Sequence, residues 1–167
     1  MPCGLAEWMP PGAVALPLVV SRVRVAGPPP ACYALIKDME SYPKFMDAVR
    51  SLRVLERHGN VTVTEWVASF QGRLLRWTER EEWDDAHFCQ RYRQLAGDLK
   101  RFEGEWRCVP DGDGTEVVLT VDFDLGIPML APMLDPVARL VTKRNSDSML
   151  AAIKARVESG TMAEAER

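Results

Sequence analysis

The chain lacks the short motifs that mark most catalytic and metal centres. It contains no CxxC, HxxxH or HExxH pattern, no GxSxG sequence, and neither a glycine-rich phosphate loop nor a dinucleotide-binding fingerprint. Its 2 histidines are isolated, with His58 beside a turn glycine and His87 at the start of a predicted strand. Zinc enzymes, serine hydrolases and nucleotide-binding enzymes depend on such patterns. We therefore expect no metal and no cofactor.

An excess of positive charge is also absent. The chain carries 21 lysines and arginines against 24 aspartates and glutamates, which gives a net charge of −3 at pH 7. A positive field is what holds many proteins on nucleic acid or anionic lipid. We therefore expect no nucleic-acid partner.

Long hydrophobic runs are missing as well. The apolar segment AVALPLVV, residues 13–20, is too short to span a bilayer and is interrupted by Pro17. It follows a terminus without lysine or arginine, which does not fit a signal peptide. We expect no integral membrane association.

The cysteines form no local cluster. They lie far apart in the sequence, at Cys3, Cys32, Cys89 and Cys108. This spacing favours free thiols over disulfides and thus a reducing compartment, so the expected location is the cytoplasm.

What is present is the composition of a globular domain. Of 167 residues, 47% are hydrophobic and 27% are charged, and a chain of this length can bury a sizeable core. Residues 1–13 are rich in proline and glycine and show no periodicity, which predicts a poorly ordered N-terminal tail. We expect a single domain over residues 14–158 and a short C-terminal tail over residues 159–167.

Hydrophobic periodicity and turn residues predict a first strand, two short helices, a run of six strands and a long final helix. The first strand is VVSRVRV (19–25), and Pro28–Pro30 then open the first helix, since proline is tolerated in a first turn. The later elements are helices over 31–39 and 42–49, strands over 51–57, 60–70, 73–83, 87–94, 99–109 and 115–125, and a helix over about 133–158.

This order of elements predicts a covered, curved sheet. Consecutive antiparallel strands twist and curl, and the concave face needs a cover, which only the final helix is long enough to provide. The apolar stripe of that helix is interrupted in its middle, where Thr142 and Asn145 face inward. This favours a helix that roofs a partly wet cavity, with a bent or locally exposed segment as the alternative.

Three stretches resemble those of a known family: CYALIKDMESYPKFMDAVRSLRVLE (32–56), RWTEREEWD (76–84) and GDLKRFEGEWRCVPDGDGTEVVLTVDFDL (97–125). With the final amphipathic helix, their order and spacing are similar to those of the START-like, helix-grip proteins of the polyketide cyclase / coenzyme-Q-binding family. The resemblance covers most of the chain, from residue 19 to residue 158.

The resemblance implies an α+β helix-grip fold of the START/Bet v 1-like kind. In that fold a curled antiparallel sheet of about six to seven strands wraps around a long C-terminal helix, and two short helices follow the first strand. A hydrophobic cavity between sheet and helix is implied, with its mouth near the short helices and a volume of roughly a few hundred Å³. Members of the family bind lipids, quinones, plant hormones or polyketide intermediates. Some cyclise poly-β-ketone chains, and one bacterial branch is ribosome-associated.

The candidate ligand contacts are the residues that strand alternation, helix position and the resemblance direct toward this cavity. Trp106 occupies a position that lines the cavity in the family, and Gly104 beside it leaves room for a neighbouring side chain or a ligand. The full set is Tyr42, Phe45, Met46, Val49, Trp77, Glu79, Glu81, Arg91, Arg93, Phe102, Trp106, Leu119, Phe123, Thr142, Asn145 and Met149.

Two of these candidates, Glu79 and Glu81, raise a question of charge. In RWTEREEW (76–83) they alternate with Trp77 and Trp83, and the opposite face is wholly polar. Both carboxylates are therefore expected to point inward. Burying an unpaired carboxylate is costly, so each needs a partner or a proton.

The partner depends on the register of the next strand, HFCQRYRQ (87–94). A two-residue loop would turn Gln90 and Tyr92 inward, which the apolar pattern favours, whereas a three-residue loop would turn Arg91 and Arg93 inward. Aromatase/cyclases place an arginine inside at about the Arg93 position, and only the second register supplies cationic partners. We expect a carboxylate within hydrogen-bonding reach of Arg91 or Arg93, with solvated carboxylates as the alternative.

Three functions remain after these exclusions. The resemblance puts Glu81 where aromatase/cyclases carry a cavity arginine, and a glutamate cannot polarise a ketone as a cation does. The sequence therefore favours binding or transport of an apolar small molecule (a lipid, quinone or polyketide-like compound) without catalysis.

One alternative is a cyclase, aromatase or dehydratase with Glu79 or Glu81 as general base. The other is a ribosome-associated interaction protein, against which the acidic balance argues. The ligand's identity and the oligomeric state stay open.

Overall fold

A computed structural model describes the backbone of residues 18–165 and the side chains of residues 18–160. The N-terminal tail predicted over residues 1–13 lies outside the described residues. Within residues 18–165, no helix is both long enough and apolar enough to cross a membrane.

The described chain forms a curved sheet, a pair of short helices and one long helix. The strands are β1 (Leu18–Val25), β2 (Val49–His58), β3 (Val61–Phe70), β4 (Arg73–Asp84), β5 (Cys89–Gly97), β6 (Arg101–Asp111) and β7 (Gly114–Asp124). The α-helices are α1 (Pro29–Lys37) and α2 (Ala131–Ala165), and a 3₁₀ helix covers Met39–Lys44.

The sheet is antiparallel throughout, with the strand order β1-β7-β6-β5-β4-β3-β2. Sequential strands from β2 to β7 pair as hairpins, while α1 and the 3₁₀ helix carry the chain from one edge of the sheet to the other. Residues alternate between the concave and convex faces, so that Val117, Leu119, Val121 and Phe123 of β7 are buried. The helix-grip fold expected from the sequence is confirmed.

The long helix α2 covers the concave face through its second half. Leu150, Ile153 and Val157 are buried there, with exposed fractions of 1%, 0% and 8%. Cys32 and Ile36 of α1 are fully buried in the same core, which closes one end of the sheet. Burial of such apolar side chains stabilises the fold by roughly 1.5–3 kcal/mol each.

Two predicted helix boundaries are wrong. The second short helix is a 3₁₀ helix over Met39–Lys44 rather than a helix over 42–49, since the bonds Ser41 N–H to the Asp38 carbonyl and Phe45 N–H to the Tyr42 carbonyl span three residues. At the other end, α2 continues to Ala165, so residues 159–165 are helical rather than a tail. Residues 161–165, TMAEA, are mostly good helix formers and contain no proline.

The cysteines do not all match the expectation of free thiols. Cys32 and Cys108 are free and buried. Burial raises the pKa of both thiols, which keeps them protonated and unreactive. Cys89 is disulfide-bonded, so the expectation is wrong for that residue.

Gly104 is a point of close approach between β6 and its neighbours. A Cβ at this position would overlap the carbonyl oxygen of Thr120 and lie 2.6 Å from the hydroxyl oxygen of Tyr92. That hydroxyl donates a hydrogen bond of 2.8 Å to the same Thr120 carbonyl. The room beside Trp106 is therefore filled by the protein itself and is needed for this buried hydrogen bond.

We predict that Gly104→Ala destabilises the protein by at least about 2 kcal/mol, because the methyl group displaces both β7 and Tyr92. Chemical denaturation measures the free energy of unfolding. Gly160→Ala is the matched control, since Gly160 is a helical residue with no atom within 4 Å of an added Cβ. That control should be neutral or stabilising by up to about 1 kcal/mol. Equal effects at the two positions would contradict the close approach.

Candidate functional site

A small cavity lies between the concave face of the sheet and α2. Its volume is about 60 Å³, which is room for about two water molecules. The predicted volume of a few hundred Å³ is therefore wrong for this conformation. The reason is aromatic bulk, because the stacked rings of Trp66 and Trp77, with centroids 5.4 Å apart, and the nearby ring of Phe102 fill the space.

Many of the residues predicted from the sequence line this cavity. They are Val49, Trp77, Glu79, Phe102, Trp106, Leu119, Thr142, Asn145 and Met149. Thr142 and Asn145 belong to the polar middle of α2, and the Asn145 side-chain amide donates a 3.1 Å hydrogen bond to the carbonyl of Ser69 in β3. The interruption of the apolar stripe thus lies over the cavity.

Other predicted contacts lie elsewhere. Tyr42, Met46 and Phe123 are buried in the core, where the Tyr42 hydroxyl donates a 2.6 Å hydrogen bond to the carbonyl of Ile36. Phe45 packs edge-on against Tyr42, with ring centroids 6.0 Å apart. None of these side chains lines the cavity.

Tyr92, the alternative to Arg91 left open by the sequence, also lines the cavity. Further lining residues were not among the predicted ligand contacts: Ala48, Trp66, Ala68, Phe70, Val121 and Ser146. The lining residues on β3 could have been identified from the turn between β3 and β4. Gln71 and Gly72 both adopt positive φ, as in a two-residue hairpin turn, and Phe70 pairs with Arg73. Counting back from this turn places Trp66 opposite Trp77.

The hairpin of β4 and β5 has the register that the apolar pattern favours. Glu81 lies opposite Tyr92 and Trp83 opposite Gln90, which turns Tyr92 and Gln90 toward the interior. Residues 85–88 form the connection, which is longer than either loop considered from the sequence.

The prediction that Arg91 or Arg93 pairs with a buried carboxylate is wrong. Both arginines are exposed on the convex face. There the Arg91 guanidinium Nε lies 3.6 Å from a carboxylate oxygen of Glu105. This register buries the apolar ring of Tyr92 and leaves both cations in water, which avoids their desolvation.

The two carboxyl groups do point inward. Glu79 is 3% exposed and Glu81 is 0% exposed. Hydroxyl groups of β3 take the place of the arginines. Thr62 donates a 2.5 Å hydrogen bond to one carboxylate oxygen of Glu81, and Thr64 donates to the other.

The two threonine hydroxyls have a fixed direction. Trp83 donates its indole N–H to the Thr62 hydroxyl at 3.0 Å, and Trp66 donates to the Thr64 hydroxyl at 2.8 Å. A hydroxyl has one hydrogen, and each hydroxyl oxygen here already accepts from an indole. Each threonine hydrogen therefore points at Glu81, an arrangement that suits an ionised carboxylate.

Glu79 is held in the opposite protonation state. Burial and the adjacent charge of Glu81 raise the pKa of Glu79 well above its ordinary value, although the indole N–H of Trp77, 2.6 Å from Glu79 Oε2, opposes the rise. Burial also raises the pKa of Glu81, but hydrogen bonds from Thr62, Thr64 and Glu79 oppose it. Because both threonine hydroxyls donate to Glu81, we infer that at neutral pH the proton of the pair resides on Glu79 and the negative charge on Glu81.

No positively charged side chain lines the cavity within residues 18–160. Over the same residues, no group of three or more histidine, cysteine or acidic side chains is placed to hold a metal ion. The polar groups at the cavity wall are the Glu79 carboxyl, the Tyr92 hydroxyl and the uncharged Thr142, Asn145 and Ser146 of α2.

Residues 25–150 match the family described as polyketide cyclase / dehydrase and lipid transport. The chain belongs to this family and has its START-like fold.

A curated relative in Streptomyces coelicolor is the bifunctional cyclase/dehydratase of the actinorhodin polyketide synthase. It is 32% identical over 146 residues, which are 84% of this chain and 44% of the relative. The chain thus spans about half the length of this curated relative.

Two solved structures are similar over most of their length. TTHA0849 from Thermus thermophilus is 36% identical with a TM-score of 0.81, covering 86% of this chain and 98% of that one. The Zhui aromatase/cyclase from Streptomyces sp. R1128 is 27% identical with a TM-score of 0.73, covering 84% and 93%.

We predict that Glu79→Gln makes the protein progressively more stable than the wild type as the pH rises above about 4.5. The unfolded wild-type chain then loses the Glu79 proton while the folded chain keeps it, which costs the wild type up to about 1.4 kcal/mol per pH unit. Glutamine does not titrate, and its amide can still donate to Glu81. Urea denaturation at several pH values measures the difference.

Two further variants serve as controls for this prediction. Glu82→Gln changes the neighbouring carboxylate, whose side chain is 52% exposed, and should stay within about 0.5 kcal/mol of the wild type at every pH. Glu81→Gln should destabilise by about 1–3 kcal/mol, because its amide would face two hydroxyl donors. A pH-independent difference between Glu79→Gln and the wild type would show that Glu79 is not held neutral.

Proposed function

We propose that the protein binds an apolar small molecule between the sheet and α2, and that it holds or carries this molecule. The observation that supports the proposal is the composition of the cavity wall, which combines aromatic and aliphatic side chains with one neutral carboxyl, that of Glu79. Ligand sites typically have such apolar walls with a few polar groups that orient the ligand. The family's description as lipid transport agrees with this role.

Room for a ligand would come from the first half of α2. No residue from Leu125 to Val141 is buried, and Met129, Met133 and Val137 are 94%, 68% and 58% exposed. A segment with so few buried contacts can move at low cost in free energy. We infer that displacement of this segment enlarges the cavity of about 60 Å³ when a ligand enters.

Catalysis by a dehydratase-like route is the second candidate, and the protonation state of Glu79 favours it. A neutral carboxyl inside a cavity can act first as a general acid that protonates a departing hydroxyl group, rather than only as the general base expected from the sequence. The carboxylate so formed can then take the proton from the adjacent carbon, which forms the double bond, releases water and restores the neutral carboxyl. The actinorhodin relative is described as a cyclase/dehydratase. Binding remains the better supported function, because no cation lines the described cavity wall to polarise a ketone. Ribosome association has no specific observation in its favour.

We predict that native mass spectrometry of the purified protein detects a bound small molecule, and that tryptophan fluorescence responds to an apolar ligand. Trp66, Trp77 and Trp106 all line the cavity, so an occupant alters their surroundings. The titrated compounds are a fatty acid, a short-chain quinone and a hydroxylated anthraquinone. Incubation with a hydroxylated polyketide mimic, followed by a search for dehydrated product, tests the second candidate.

Ala68→Leu tests whether the compounds bind in this cavity, because Ala68 lines the cavity and the larger side chain would fill it. We expect it to weaken binding at least about tenfold, a loss of about 1.4 kcal/mol. Ala96→Leu makes the same change on an exposed part of β5 and should leave affinity unchanged. If no adduct is found and no compound alters the fluorescence, the proposed function is wrong.

A further inference from the structure

The carboxyl pair carries an uncompensated negative charge next to the cavity. Glu81 is fully buried, and its described partners are the hydroxyls of Thr62 and Thr64, whose hydrogens both point at it as suits a carboxylate, and the Glu79 carboxyl. None of these partners is a cation. In the described structure, the proton on Glu79 keeps the two neighbouring carboxyl groups from both being charged, and a cation such as an ammonium group could take the place of that proton with no change in net charge.

The cavity wall beside Glu79 is aromatic. The rings of Trp66 and Trp77 stack at 5.4 Å, Phe102 lies 5.4 Å from Trp77, and Tyr92 lies 5.9 Å from Phe102. The faces of aromatic rings attract cations, and the attraction is stronger where water is excluded. Aromatic walls around a carboxyl group therefore suit an ammonium group better than a neutral or anionic one.

The opposite wall offers hydrogen-bond acceptors. The Asn145 amide N–H₂ donates to the Ser69 carbonyl at 3.1 Å, which turns its carbonyl oxygen into an acceptor for other donors. Thr142 and Ser146 add hydroxyl oxygens on the same side of α2. An ammonium group has three N–H donors, and these oxygens together with Glu79 can accept them.

The size of the cavity agrees with a small head group. About 60 Å³ holds about two or three non-hydrogen atoms. The apolar remainder of the ligand would extend toward the loosely packed first half of α2, where Met133 and Val137 are exposed.

We propose that the ligand of this cavity is an apolar amine whose ammonium group binds the Glu79 carboxylate. The inference rests on the proposed function and names its ligand class. The ammonium takes the place of the proton that Glu79 holds in the free protein, so binding of R–NH₃⁺ releases one proton to solvent. A carboxylic acid ligand would instead bring a second anion beside Glu81 and is disfavoured.

The groups that face Glu79 do not supply an alternative source of this proton. On its own strand the neighbour is Glu81, and the phenol hydroxyls of Tyr42 and Tyr92 face it from the 3₁₀ helix and from β5. Burial raises the pKa of both phenols well above the ordinary value, so they stay protonated. In the described cavity wall, β3, β6, β7 and α2 contribute only uncharged residues.

The test compares three probes that share one ring system: 2-naphthylmethylamine, 2-naphthylmethanol and 2-naphthoic acid. Isothermal titration calorimetry of the wild-type protein at pH 7 should show the amine binding at least about tenfold tighter than the alcohol, and the acid binding weakest. The measured enthalpy for the amine should differ between phosphate and Tris buffers by the amount expected for one released proton. Affinity for the amine should rise with pH, up to tenfold per unit while Glu79 is protonated in the free protein.

Glu79→Gln should abolish the preference for the amine over the alcohol, while Glu82→Gln, on the convex face, should keep it. Equal binding of amine and alcohol by the wild type, or no proton release, would overturn the amine assignment and leave the proposed function standing. The comparison of binding enthalpies in phosphate and Tris buffers uses only the wild-type protein, so it tests the amine assignment even if Glu79→Gln misfolds. Binding of none of the three probes, by a protein that also lacks a co-purified adduct, would overturn both proposals.

Discussion

Two carboxyl groups are buried side by side with no cation beside them, and the rest of the described interior is arranged around this constraint. Glu79 and Glu81 alternate with tryptophans on β4, so the curl of the sheet turns them inward together with the aromatic rings. A shared proton and two threonine hydroxyls make this possible. The indole groups of Trp66 and Trp83 then orient those hydroxyls, so the apolar core and the polar network are built from the same residues.

This constraint also determines the character of the cavity. The neutral carboxyl of Glu79 lines the cavity, whereas the ionised carboxylate of Glu81 lies behind it among hydroxyl donors. The polar middle of α2 faces the same space from the opposite side, through Thr142 and Asn145. The aromatic rings between them leave little volume in this conformation. The fold therefore provides a site with acidic and aromatic chemistry at one end and a loosely packed helix at the other.

The fold was predictable from the sequence because alternation along β7 and the hairpin turns are local signals. The hydrogen-bond partners of Glu79 and Glu81 were not predictable in the same way. They depend on the register of the neighbouring strands, which decides which side chains of β3 and β5 point into the interior. Arg91 was a reasonable partner by charge, but the register of β5 follows the burial of Tyr92. Thr62 and Thr64 could have been found by counting from the β3–β4 turn, whereas the small cavity volume results from side-chain packing that no local pattern contains.

The central claim is that Glu79 is neutral and Glu81 ionised in the folded protein at neutral pH. The most direct test follows the ¹³C chemical shift of the glutamate side-chain carboxyl carbons during a pH titration, with Glu79→Gln and Glu81→Gln used for assignment. The account predicts that the Glu79 signal keeps the shift of a protonated acid at pH 7, while the Glu81 signal has the shift of a carboxylate. A Glu79 signal that already has the shift of a carboxylate at pH 7 would contradict it.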